Sequence, residues 1–111
     1  MSVKIIHHDK LVRDRIPEIV ERSGREAVTE VYTEEELAGA LDAKLMEEVR
    51  EYQESRSPEE LADILEVLHG IAFHTGLKWE TVEDERKRKR DERGGFEEGI
   101  RLVEVRIPDP S

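Results

Sequence analysis

With 111 residues, 41% of them charged and 36% hydrophobic, the chain has apolar material for one small core and little beyond it. A net charge of −10 speaks against a general nucleic-acid binder, because a polyanion needs a basic surface. The absence of cysteine excludes disulfides, zinc–thiolate sites and cysteine nucleophiles.

The opening residues, MSVKIIHHDK, contain no apolar run long enough for a signal peptide, and no later stretch is long enough to span a membrane. A cytoplasmic location is expected. In RDRIPEIVERSG, Pro17 suits the first turn of a short helix and Gly24 its end. REAVTEVYT alternates Ala27, Thr29 and Val31 against Val28, Glu30 and Tyr32, a pattern that predicts a short strand. Thr33 and Glu36 make a capping box that opens a helix running to about Glu54. Ser57-Pro58-Glu59-Glu60 supplies a second start, and that helix should end near Gly76. A further helix is expected from about Trp79 to Arg93, stopped by Gly94 and Gly95. IRLVEVRI then reads as a second strand, able to pair with the first. The expected fold is mainly α: one domain over residues 1–111, a helical bundle with a minor two-stranded β element. Its thin core makes a homodimer or larger homo-oligomer the expected assembly.

The charge is unevenly distributed. From Glu34 to Glu66 there are 12 acidic residues against 3 basic, whereas Asp84 to Arg93 holds 6 basic against 4 acidic. At about 100° per residue, with Leu37 at zero, Leu41, Leu45, Val49 and Tyr52 fall between roughly 40° and 120°. Glu48 falls inside that apolar stripe at roughly 20°, and Glu51 on its border at roughly 320°. On the next helix, with Glu60 at zero, Ile64, Leu65, Leu68, Ile71 and Ala72 spread from roughly 20° to 140°, and Val67 sits at roughly 340°. Glu60 therefore lies between apolar neighbours, and Asp63, at roughly 300°, lies at their edge. A solvated acidic face explains most glutamate-rich helices. Two carboxylate pairs set against apolar stripes favour a different reading. If the helices pack antiparallel, four carboxylates converge, and unpaired they would repel and take up protons. Divalent cations relieve that, and an all-oxygen ligand set selects Mg²⁺, or Mn²⁺, over zinc and copper.

EEVRE followed after a short turn by EELAD resembles the ExxE…ExxD signature of the MazG-like, all-alpha nucleoside triphosphate pyrophosphohydrolases. That superfamily includes phosphoribosyl-ATP pyrophosphatase and the dimeric dUTPases. KLVRDRIPEI and KRKRDERGGFEEGIRL extend the resemblance over roughly residues 10–102, toward a small branch of house-cleaning enzymes. The resemblance implies a helical bundle, assembled at least as a dimer, that hydrolyses nucleoside triphosphates to monophosphate and pyrophosphate. By it, Glu48, Glu51, Glu60 and Asp63 match metal ligands, and Glu47 an acidic neighbour that positions substrate or water. Lys89 and Arg93 match a basic pair aimed at the phosphates, with Gly94, Gly95 and Phe96 in the place of a closing segment. Lys10, Arg13 and Arg15 are either phosphate contacts or a local salt-bridge cluster.

The implied chemistry needs charge neutralised on the phosphate oxygens and an in-line water, with Glu51 or Glu47 to accept its proton. Lys89 and Arg93 would stabilise charge on the departing pyrophosphate, while Arg86, Arg88 and Arg90 read as i,i+4 ion pairs. Glu66 and His69 form an ExxH, the element of helical di-iron sites, but one copy at roughly 180–240°, opposite the apolar stripe, disfavours that chemistry. Trp79 reads as packing at a helix start. Two other functions compete: a phosphoribosyl-ATP hydrolase with the same chemistry, and a non-catalytic helical module whose acidic face binds a basic partner.

Overall fold

The computed structural model describes residues 2–110. It contains four helices: α1 (Ile16–Arg22), α2 (Glu34–Ser55), α3 (Pro58–Thr75) and α4 (Trp79–Arg93). The chain divides into two compact units, Met1–Leu77 and Lys78–Ser111. No helix among the described residues is long and apolar enough to cross a membrane.

In the first unit, helix boundaries follow local chemistry. Thr33 Oγ1 accepts from the Glu36 backbone N–H at 3.3 Å, and the Glu36 carboxylate accepts from the Thr33 N–H at 3.2 Å, completing the expected capping box. α2 ends on Arg56, which adopts a left-handed φ of 55° and stacks its guanidinium 5.2 Å from the Tyr52 ring centroid. Only Arg56 and Ser57 separate α2 from α3, so α3 turns back along α2. Gly76 closes α3 with φ 76°, as the Gly76 and Leu77 N–H groups reach back to Phe73 and Ala72. A side chain at that φ costs about 1–2 kcal/mol, which glycine avoids.

The α3 start departs from the full box. Ser57 Oγ accepts from the Glu60 N–H at 3.4 Å, but the Ser57 N–H bonds Ser55 Oγ at 3.3 Å rather than the Glu60 carboxylate. The Glu60 carboxylate is thereby left for another task.

α2 and α3 pack on each other, with Gly70 against Leu41. Among the described residues three are buried: Leu41, Ala72 and Glu48. α3 covers only part of its broad apolar arc, leaving Leu61, Leu65 and Leu68 between 38% and 52% exposed.

The two-stranded element is absent: no strand forms among the described residues. Val28 and Val31 are exposed, as are Leu102, Val103, Val105 and Ile107. Alternation alone does not make a strand, and two isolated strands with no apolar surface to cover are marginal in water.

In the second unit, α4 runs over the predicted span and ends at Gly94, whose φ of 82° and ψ of 179° belong to a region that is essentially glycine-only. Arg90 and Glu97 pair at 2.8 Å across the turn, passing over Gly95 where a Cβ would collide with both side chains.

Candidate metal centre

Glu48 owes its position to the helix repeat, which turns it into the α2–α3 seam with Leu41. It is only 6% exposed. Glu60 and Asp63, half-buried on the first two turns of α3, meet it there: one carboxylate oxygen from each of the three lies within 4.8 Å of the others. Glu48 Oε2 and Glu60 Oε2 are both buried and have no hydrogen-bond partner. Buried polar atoms are almost always partnered, and an orphaned carboxylate oxygen is among the costliest to leave bare.

The electrostatics record that cost. Burial pushes the Glu48 carboxyl above its usual range, Lys44 works against the rise, and the nearby Glu51 carboxylate adds to it by repulsion and by competing for a shared proton. Glu51 itself is exposed and stands outside the trio. Three of the four expected ligands therefore converge directly, with Glu51 at the rim.

Two ion-paired ladders flank the trio. Lys44 Nζ lies 3.2 Å from Glu48 Oε1 and 3.4 Å from Glu47 Oε2. Lys10 Nζ donates to Glu47 Oε1 at 2.6 Å, and this bond, reinforced by Lys44, holds the Glu47 carboxyl below its usual range despite some burial. The same bond raises the Lys10 ammonium. Across the seam, Arg13 Nη2 donates to Asp63 Oδ1 at 2.7 Å. Arg15 is occupied elsewhere, on Glu18 at 3.3 Å within the α1 region. A cavity of about 110 Å³ lies beside the ladder, lined by Lys10, Leu11, Tyr32, Ala43, Lys44 and Glu47. It is well below the ~300–1,000 Å³ of usual small-molecule sites and cannot enclose a nucleoside.

Lys44 is the site residue that the carboxylate pattern did not single out. Its signal was available: on the α2 wheel it falls at roughly 340°, between Glu51 and Glu48. A lysine four residues before a stripe glutamate lies on the same helical row.

The second unit carries the remaining candidates. On α4, Arg86 pairs with Glu83 at 2.6 Å, Arg88 with Glu85 and Glu92 at 2.9 Å each, and Arg90 with Glu97. Lys89 and Arg93, one turn apart, form no salt bridge among the described residues and stay exposed, as do Lys87 and Phe96.

No family model matches the chain, and no solved structure matches it. An uncharacterized protein of Mycolicibacterium smegmatis is 55% identical over 42 residues, which is 38% of this chain and 43% of that protein.

Proposed function

We propose that this protein is a Mg²⁺-dependent nucleoside triphosphate pyrophosphohydrolase of the MazG-like kind, releasing monophosphate and pyrophosphate from non-canonical or excess nucleotides. The observation that carries the reading is the buried seam between α2 and α3, where Glu48, Glu60 and Asp63 converge with two oxygens unpartnered. Their all-oxygen donor set suits Mg²⁺, with Mn²⁺ as a substitute.

In this reading Glu48, Glu60 and Asp63 would hold the ion, with Glu51 exposed at the rim. A bound divalent ion neutralises phosphate oxygens and lowers the pKa of a water. Glu51, which forms no salt bridge among the described residues, would take a proton from water better than Glu47, whose lone pairs are engaged by Lys10 and Lys44. Lys89 and Arg93 keep the role the resemblance gives them, as cations for the phosphates. No covalent nucleophile is needed. The exposed Leu61, Leu65 and Leu68 arc of α3 supports a homodimer, in which a second copy would cover what this chain leaves bare.

The test is pyrophosphate release from a panel of nucleoside triphosphates with Mg²⁺. The wild-type protein should release it, and Asp63→Asn should lower the rate at least about a hundredfold, the upper end of what even indirect ligand disturbance costs. Full activity in Asp63→Asn would remove the site assignment.

A further inference from the structure

Asp63 already carries a partner. The Arg13 guanidinium reaches it at 2.7 Å from 50 residues earlier in the sequence. Lys10 reaches Glu47 from the same segment, just after Asp9 turns the backbone through a left-handed φ of 43°. The N-terminal segment thus lays two cations on the α2–α3 seam. Their exposure separates them from Lys44. Arg13 and Asp63 side chains are 54% and 37% exposed, whereas Lys44 and Glu48 are 17% and 7% exposed. An exposed pair is only weakly favourable because water screens it, so a divalent ion can displace Arg13, while Lys44 stays in place on its own helix.

We propose that Arg13 is the resident counter-ion of the metal-free site and competes with the divalent cation for Asp63. The proposal rests on the trio being a metal site. Its consequence is that removing Arg13 strengthens binding of the ion, because a competing positive charge is gone. Lys10 acts in the same sense through Glu47, one step further from the trio.

The experiment is calorimetric titration of Mn²⁺ into the intact wild-type protein and into Arg13→Gln, Arg13→Met and Arg15→Gln. Arg15→Gln removes the same charge from the same segment without touching Asp63. Both Arg13 variants should bind Mn²⁺ about three- to tenfold more tightly than wild type, with Arg15→Gln changed by less than about twofold. Using two Arg13 variants keeps the outcome readable if one folds poorly. If wild type binds Mn²⁺ and the Arg13 variants bind it equally or more weakly, the counter-ion role is wrong while the metal site stands. A gain of equal size in Arg15→Gln also overturns it, since the effect would then be general charge. If no variant and no wild-type protein binds Mn²⁺, the metal site itself falls and the inference with it.

Discussion

Glu48→Gln should raise the stability of the metal-free protein while lowering its affinity for Mg²⁺ at least about a hundredfold. The two effects have one cause. Glu48 is a buried carboxylate whose Oε2 has no partner, facing a second orphaned oxygen on Glu60. An amide of the same shape removes one negative charge from the trio and offers N–H donors to the carboxylates opposite. Its carbonyl oxygen still accepts from Lys44, 3.2 Å away. A satisfied hydrogen bond in place of a bare buried acceptor is worth about 1 kcal/mol. In a unit of this size that raises the melting temperature by about 4–8 °C. The substituted amide is a poor ligand for a hard cation, so stabilisation by Mg²⁺ should vanish together with pyrophosphate release. Melting curves of both proteins with and without Mg²⁺ read the whole prediction. A variant that melts lower than wild type, yet is still stabilised by Mg²⁺, would mean that Glu48 is an ordinary buried residue.

The second large effect concerns pH. Burial raises the Glu48 pKa in the folded chain above its unfolded value. Between those two values the folded state binds more protons than the unfolded one, so metal-free stability should fall as pH rises through that window. Glu36 and Glu47 have the opposite shift, held low by Thr33 and Lys10 respectively, and their contributions are lost only on acidification below the ordinary carboxylate range. Metal-free stability should therefore peak on the mildly acidic side. Ion binding runs the other way, because the proton and the cation compete for the same Glu48 oxygens. Mg²⁺ affinity should decline as pH falls through the raised Glu48 value. Thermal melts from the ordinary carboxylate range upward, with and without Mg²⁺, would show the two slopes crossing. In Glu48→Gln the metal-free slope just above that range should flatten. A wild-type protein whose metal-free stability instead rises steadily above the ordinary carboxylate range would contradict the assignment.

The parts legible in the sequence are those fixed within a turn or two of chain. Thr33 with Glu36, Ser57 with Pro58, and Gly76 place the ends of α2 and α3 because capping is a local contest for unpaired backbone groups. The angular placement of Glu48 within an apolar stripe was equally local, and it carried through to a buried carboxylate. Glu51, at the stripe's border, ended at the rim as a border residue can. The strands failed because alternation in REAVTEVYT states a preference that only a partner and an apolar surface can realise, and Val28 and Val31 find neither. Arg13 on Asp63 spans 50 residues, and no periodicity reports such a contact. In this structure Lys10 and Arg13 pair with Glu47 and Asp63 at the acidic seam, while Arg15 pairs with Glu18.

The acidic seam gives the fold an unusual balance. Among the described residues one of the three buried ones is charged, the other two being Leu41 and Ala72. Lys44 reaches only Oε1 of Glu48 and Arg13 only Oδ1 of Asp63, leaving Glu48 Oε2 and Glu60 Oε2 bare. A divalent ion would satisfy all three at once.

Diffraction from crystals soaked in Mn²⁺ measures this most directly, since the ion's anomalous signal locates it without assumptions. The account predicts a peak bonded to oxygens of Glu48, Glu60 and Asp63, with Arg13 no longer on Asp63. Saturating Mn²⁺ that leaves the trio ion-free and the Arg13–Asp63 pair intact would contradict it.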